Sequence, residues 1–282
     1  MLHFADRLLE QVQKKKSPLC LGLDPHFDLI PEIFKTSKSS TKVIEDFLKK
    51  ILDSCAEFVA CCKPNYAFFE EFGWEGIKVL ENVCQYAQKL SLPVIVDAKR
   101  NDIGSTAAAS AKAFLSREIF DALTVNPYLG EDGIKPFVEL CKKNQKGIFV
   151  LVKTSNPSGG EFQDLNVNGN FLYEEVAQKV ALWGAEDIGK NNFSSIGAVV
   201  GATYPEEIKS LRSEMSSQIF LIPGFGKQGG KAADIFPAFY EKGKGAIVNS
   251  SRGILFASSG NDADVAARKA AQDSKKAFEG VF

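Results

Sequence analysis

The stretch 94-VIVDAKRNDIGST-106 contains charged residues whose spacing would suit a catalytic site, namely Asp97, Lys99 and Asp102. Alternation along a strand places Asp97 and Lys99 on one face, directly after three β-branched residues typical of a buried strand. Turning two ionisable groups inward costs several kcal/mol per ion unless they are paired and hydrogen-bonded. The stretch therefore predicts either a structural ion pair or a catalytic array of fixed charges, and we favour the array.

Two glycine-containing stretches, 223-PGFGKQGG-230 and 249-NSSRG-253, look suited to binding a phosphate. Glycines let backbone N–H groups approach an anion closely, Gln228 adds side-chain donors, and Arg252 supplies a planar guanidinium for bidentate contacts. A glycine-rich loop alone could be only a turn. The two stretches follow the seventh and eighth predicted strands, where barrel enzymes commonly bind phosphate, and this position favours a phosphate site.

Alternating strand and helix patterns provide the elements that would position these residues. Segments with helical periodicity separate short apolar strands, which favours a parallel sheet covered by helices. We predict one (β/α)8 barrel domain over residues 1–282, with a helix at about residues 3–16 before the first strand and a loop at 35–42. A doubly wound sheet is the alternative, but it requires a glycine-rich fingerprint after the first strand, and LGLDP is not one. The eight predicted strands are 18–25, 59–69, 93–99, 121–128, 147–156, 196–203, 219–226 and 245–252.

Composition narrows the class of protein. A net charge of −1 gives no sign of a surface for nucleic acid or an anionic membrane, and no apolar run is long enough to span a bilayer. The six cysteines form no CxxC pair, and the charged, amphipathic first residues lack the apolar core of a signal peptide. No cluster with metal-ligand spacing and no cofactor motif is present. We expect a cytoplasmic protein without a metal or cofactor.

The pattern Asp-x-Lys-x-x-Asp-Ile at residues 97–103 resembles the active-site signature of the orotidine 5′-phosphate decarboxylase family. The surrounding sequence resembles the longer bacterial and protozoan branch of that family. The segments that carry this resemblance are DAKRNDIGST, TVNPYLG, LVKTSNP and PGFGKQGG. The match extends from LGLDP to SSRGILFA, which is nearly the whole chain.

The resemblance implies a homodimer with shared active sites that acts on orotidine 5′-monophosphate. Asp102 and Thr106 would enter the partner's site, and the pyrimidine contact would be Ser155 or, with the register shifted by one, Thr154. The catalytic residues it implies are Lys63, Asp97, Lys99 and Asp102, and the substrate-binding residues are Asp24, Thr106, Ser155, Pro223, Gln228 and Arg252.

The implied reaction forms UMP and CO2 in pyrimidine biosynthesis, with Lys99 as the proton donor to C6. Two alternatives remain. Metal-dependent sugar-phosphate decarboxylases and aldolases share a version of the signature, although they carry an acidic metal ligand at the end of strand two, where this chain has Lys63. A non-catalytic barrel that binds a phosphorylated metabolite would need the phosphate loops but not the charged array.

Overall fold

The computed structural model describes residues 2–201, 205–225 and 232–282. Within these residues, the main sheet has eight parallel strands: β1 Leu19–Leu23, β2 Cys61–Pro64, β3 Ile95–Arg100, β4 Ala122–Val125, β5 Gly147–Lys153, β6 Ser194–Val200, β7 Gln218–Ile222 and β8 Ala246–Ser250. Their order in the sheet is β2-β1-β8-β7-β6-β5-β4-β3. Parallel bridges between Cys62 and Val94 and between Asn65 and Asp97 join β2 to β3, so the sheet nearly closes on itself. The predicted single-domain (β/α)8 barrel is confirmed.

Helices lie outside the barrel and supply the apolar layer that covers the strands. Such a sheet is buried on both faces, which explains why its strands are short continuous apolar runs. The α-helices of ten or more residues are Phe4–Lys15, Ser40–Cys55, Gly73–Lys89, Gly104–Leu115, Glu131–Asn144, Leu172–Gly184, Pro205–Glu214 and Ala263–Lys276. Single-turn α-helices are Ala67–Glu70, Gly160–Gln163, Ala232–Ile235 and Arg252–Leu255.

Some local features depart from the expected pattern. The second strand, predicted over 59–69, ends at Pro64, and Ala67–Glu70 is a helical turn. The loop predicted over residues 35–42 ends early, because the side chain of Ser39 accepts a hydrogen bond from the Lys42 N–H and begins the helix at Ser40. A short antiparallel hairpin, Asn166–Val167 with Asn170–Phe171, was not predicted. It lies between β5 and β6, outside the barrel sheet.

The N-terminal helix Phe4–Lys15 closes the bottom of the barrel. Its buried residues form one apolar cluster with side chains that point into the barrel from the strands. The Phe4 ring meets Phe149 edge-on at 6.2 Å between centroids, and it fills the space that a side chain at Gly147 would need. With this end sealed, the opposite, C-terminal end of the strands is left as the mouth of the barrel. No helix among the described residues is long and apolar enough to cross a membrane.

Candidate active site

The ends of β2 and β3 bring three charged side chains into one cluster. The Lys63 ammonium donates to Oδ2 of Asp97 at 2.8 Å, and the Lys99 ammonium donates to Oδ1 of the same carboxylate at 2.6 Å. Because β2 and β3 are adjacent, Lys63 and Asp97 meet although 34 positions separate them along the chain. One carboxylate is therefore held between two cations, one on each oxygen.

Burial of the charged cluster affects the pKa values of Asp97 and Lys63. Asp97 is only 9% exposed and Lys63 only 4% exposed, whereas half of the Lys99 side chain is open. Burial alone would raise the pKa of Asp97, but the ammonium groups of Lys63 and Lys99 hold it well below its usual value. Burial alone would lower the pKa of Lys63, but Asp97 and then Asp24 raise it above its usual value. Asp97 and Lys63 therefore both stay charged at neutral pH.

A cavity of about 230 Å³ lies over the charged cluster. The cluster forms one side of it, and the apolar side chains of Leu151, Val199 and Leu221 from β5, β6 and β7 line another part. Removing water from around fixed charges strengthens their electrostatic effect on a bound molecule. The cavity therefore places the Lys99 ammonium and the Asp97 carboxylate beside an apolar wall, where their charges act strongly on a bound molecule.

A second cavity of about 190 Å³ adjoins the first and is polar. It is lined by Asp24 after β1, by Asn249 and Ser251 at the end of β8, and by the exposed Arg252. One side-chain oxygen on each of the first three residues is buried and has no hydrogen-bond partner within the part of the chain that the structure describes. Buried polar atoms are nearly always paired in proteins, so three orphans in one cavity indicate a bound polar ligand that supplies the partners.

Two residues, Ser155 and Pro223, line both cavities and so mark where they join. The hydroxyl of the neighbouring Thr154 is already engaged, because it accepts from the Gln163 side-chain amide at 2.7 Å and donates to Asn156 at 2.7 Å. Oε1 of Gln163 also accepts from the Thr154 N–H at 2.9 Å. With respect to the described residues, Ser155 is thus the one of the two adjacent hydroxyls that is free to meet a ligand at the junction.

Asp102 and Thr106 are the predicted site residues, among those that the structure describes, that line neither cavity. The Asp102 carboxylate accepts from the Ile103 N–H at 2.8 Å, and among the described residues it forms no ion pair. Thr106 is exposed in the first turn of helix Gly104–Leu115, close to Ile103, which is 54% exposed. The two cavities of this chain are therefore formed without these two side chains.

Comparison with known proteins identifies the family to which this chain belongs. The family model described as "Orotidine 5'-phosphate decarboxylase / HUMPS family" matches residues 17–269. The chain belongs to the orotidine 5′-phosphate decarboxylase / HUMPS family. The match includes all eight barrel strands and every predicted site residue.

Similar relatives within this family are named orotidine 5′-phosphate decarboxylase. The orotidine 5′-phosphate decarboxylase of Caldicellulosiruptor bescii is 44% identical over 276 residues, covering 91% of this chain and 90% of its own. That of Rhodopirellula baltica is 44% identical over 280 residues, covering 95% and 93%. The solved structure of Leishmania donovani OMP decarboxylase superimposes with a TM-score of 0.79 at 32% identity, covering 98% and 99%.

The structure brings most of the predicted site residues together at the barrel mouth. Lys63, Asp97 and Lys99 line one cavity, Asp24 and Arg252 the other, and Ser155 and Pro223 both. Gln228 lies outside the described residues. Among the residues that the structure describes, no group of three or more His, Cys, Asp or Glu side chains is arranged to hold a metal ion.

Among the polar residues that line the two cavities, Asn249, Ser251 and Thr124 were not selected as site residues from the sequence. Asn249 and Ser251 stand in the NSSRG stretch that was noted for phosphate, but nothing in the stretch shows that their oxygens lack partners. Thr124 gives a weaker signal still, because threonine is common in strands. Only the strand register of the structure shows that Thr124 lies level with the charged end of β3.

Proposed function

We propose that this protein converts orotidine 5′-phosphate to uridine 5′-phosphate and CO2, with Lys99 as the proton donor. The observation that carries the proposal is the buried Asp97 carboxylate held between the Lys63 and Lys99 ammonium groups at the floor of a largely apolar cavity. Such an array is costly for stability alone, since replacing a buried ion pair by apolar residues is often neutral or stabilising. Its position in a cavity beside a polar pocket supports a catalytic use.

The reaction breaks the bond between C6 of the pyrimidine and the carboxylate carbon, and leaves the electron pair on C6. No adjacent π system delocalises that pair, so stabilisation must come from a cation fixed beside C6. The Lys99 ammonium supplies this charge and donates its proton to C6 as a general acid. Half of the Lys99 side chain is exposed, so solvent can return the proton once product leaves.

Asp97 acts on the leaving group and on Lys99. Its carboxylate stays ionised because two cations hold its pKa down, and it lies beside the position of the substrate carboxylate. The resulting repulsion is relieved as CO2 departs, and contacts to the remote phosphate and ribose offset it in the bound substrate. Lys63 keeps Asp97 charged and in place from the buried side.

The polar cavity is where the ribose and phosphate would bind. Asp24 would accept a hydrogen bond from a ribose hydroxyl, and this would satisfy its orphaned oxygen. Arg252 would hold the 5′-phosphate together with Gln228, while Ser155 would contact the pyrimidine at the junction of the cavities. Asn249 and Ser251 add polar groups to the same cavity.

A homodimer would complete each site. Asp102 is partly exposed and Thr106 is exposed, and neither lines the cavity of the charged cluster in its own chain. Beside them Ile103 is exposed, which suits a segment that docks on a second copy. In the dimer, Asp102 would join the Lys99 ammonium of the partner protomer, and Thr106 would join Asp24 at the ribose.

We place this activity in the cytoplasm, as a step of pyrimidine biosynthesis. All six cysteines are buried free thiols, which suits a reducing compartment. The metal-dependent sugar-phosphate reaction is not favoured, since buried Lys63 stands where those enzymes have an acidic ligand. A binding protein without activity is not favoured either, because it has no use for the charged cluster.

The direct test follows the ultraviolet absorbance of orotidine 5′-phosphate on adding the purified protein. We expect loss of the substrate band with formation of uridine 5′-phosphate and CO2 in equal amounts, and activity that survives dialysis against EDTA. No turnover of orotidine 5′-phosphate would refute the proposal. Loss of activity on dialysis and its return with Mg²⁺ would instead assign the protein to the metal-dependent branch.

A further inference from the structure

Thr124 near the end of β4 is buried among the charged residues, and the mechanism above does not use it. It is only 1% exposed and lines the same cavity as Lys63, Asp97 and Lys99. Its hydroxyl therefore sits where a polar group is costly unless it has partners. Its hydrogen bonds connect Thr124 to Lys99, the proposed proton donor, once directly and once through Asp97.

The first connection arises from an irregularity in β3. Ile95 and Val96 pair in regular register with Ala122 and Leu123, but the next pair is Arg100 with Val125, so β3 carries two extra residues at this point. Within the bulge, Lys99 has φ of +45°, a left-handed conformation that is unfavourable for residues with a side chain. The Lys99 N–H donates to Oγ1 of Thr124 at 2.9 Å.

The second connection is to the carboxylate. The Thr124 hydroxyl donates to Oδ1 of Asp97 at 2.9 Å, and this is the oxygen that accepts the Lys99 ammonium at 2.6 Å. The contacts form a closed ring, from the Lys99 N–H to Thr124, from Thr124 to Asp97, and from Asp97 back to the Lys99 ammonium. The hydroxyl is used as donor and acceptor at once, which only serine and threonine could do in this space.

We propose that Thr124 is a positioning residue for the decarboxylation, one that holds the Lys99 backbone in its left-handed conformation and orients Asp97. This rests on the proposed function of the charged cluster. A general acid must lie within hydrogen-bond reach of the atom that it protonates, and small displacements of such a group are costly in rate. Thr124 acts through Lys99 and Asp97, so its loss should lower kcat and leave binding nearly unchanged.

The test compares Thr124→Val, which replaces the hydroxyl by a methyl group of similar size, with Thr124→Ser, which keeps the hydroxyl. For Thr124→Val we expect kcat to fall by about ten- to a hundredfold, the range for one lost buried hydrogen-bonding group. KM and the Kd for uridine 5′-phosphate should stay within about twofold, because phosphate and ribose bind elsewhere. Thr124→Ser should retain kcat within about threefold of the wild type.

Ser194→Ala is the matched control for a purely structural loss. Ser194 is also a buried hydroxyl on a barrel strand, but it donates to the Gly184 carbonyl at 3.0 Å, and it lies at the start of β6, away from the mouth. We expect it to lower the thermal midpoint about as much as Thr124→Val does and to keep wild-type kcat.

Four outcomes would overturn the positioning role: wild-type kcat in Thr124→Val, an equal kcat loss in Ser194→Ala, no rescue by serine, or a rise in KM with unchanged kcat. A wild-type protein that does not turn over orotidine 5′-phosphate would refute the proposed function itself. The two failures are therefore distinguishable.

Discussion

The Lys63 ammonium and the Asp97 carboxylate form a buried ion pair 2.8 Å apart, and it joins two adjacent strands where the barrel closes. Each group keeps its charge because of the other, so the pair links the stability of the fold to the charge state of the site. This linkage predicts how stability depends on pH.

Asp97→Asn should lower the free energy of unfolding by about 3–5 kcal/mol near pH 6, because it removes the carboxylate that is hydrogen-bonded to the buried Lys63 ammonium. The folded-state pKa of Asp97 lies below its unfolded value of about 3.9, so its stabilising contribution is present above that pH and is lost as pH falls. The difference between wild type and variant should therefore shrink by about 1 kcal/mol from pH 6 to pH 3. Urea unfolding at both pH values measures it, and a difference that does not change with pH would contradict the lowered pKa.

Lys99→Ala should abolish turnover while binding of uridine 5′-phosphate stays measurable, because phosphate and ribose bind in the other cavity. Loss of general-acid catalysis alone costs about 10²–10⁴-fold in kcat. Lys276→Ala, at an exposed lysine on the last helix, is the control and should keep full activity. A Lys99→Ala protein with more than about a hundredth of wild-type kcat would contradict the assignment of Lys99 as proton donor.

Arg252→Ala should damage recognition of the phosphate far more than the chemistry. Loss of a charge-assisted bidentate contact costs a few kcal/mol, so kcat/KM for the nucleotide should fall by roughly two decades or more. Turnover of the phosphate-free nucleoside should hardly change. Arg268→Ala, which removes a surface arginine paired with Glu57, is the control. An equal fall for both substrates would show that Arg252 does something other than hold phosphate.

Ser155→Ala should weaken binding of uridine 5′-phosphate by about tenfold, as expected for one lost hydrogen bond to the ligand. Thr154→Ser keeps the hydroxyl that Gln163 and Asn156 engage, so its affinity should match that of the wild type. Isothermal titration of both variants provides the comparison. Wild-type affinity in Ser155→Ala would move the pyrimidine contact away from this residue.

The shared site can be tested by mixing Asp102→Ala and Lys99→Ala proteins, each nearly inactive alone. If Asp102 serves the partner, a mixed dimer has one site with both changes and one wild-type site. Random exchange makes about half of the dimers mixed, so roughly a quarter of wild-type activity should return if the sites act independently. Mass measurement confirms the exchange. Exchange without any recovery would place Asp102 in the site of its own chain.

Sequence alone predicted the eight strands and the barrel, because a parallel sheet buried on both faces requires apolar runs that can be recognised locally. It also indicated where chemistry occurs, since the polar residues that follow those runs must collect at one end of the barrel. The signature at Asp97, Lys99 and Asp102 could also be identified from sequence, because its residues lie within six positions of one another.

Only the tertiary structure decided which groups meet. The contact of Lys63 with Asp97 depends on closure of the barrel between β2 and β3, and the choice of Ser155 over Thr154 depends on Gln163 engaging the Thr154 hydroxyl. Thr124 has no distinguishing sequence signal, because its function follows from a bulge in the neighbouring strand. Hydrogen bonds between distant segments depend on distances of a few ångströms, and packing of the whole chain determines those distances.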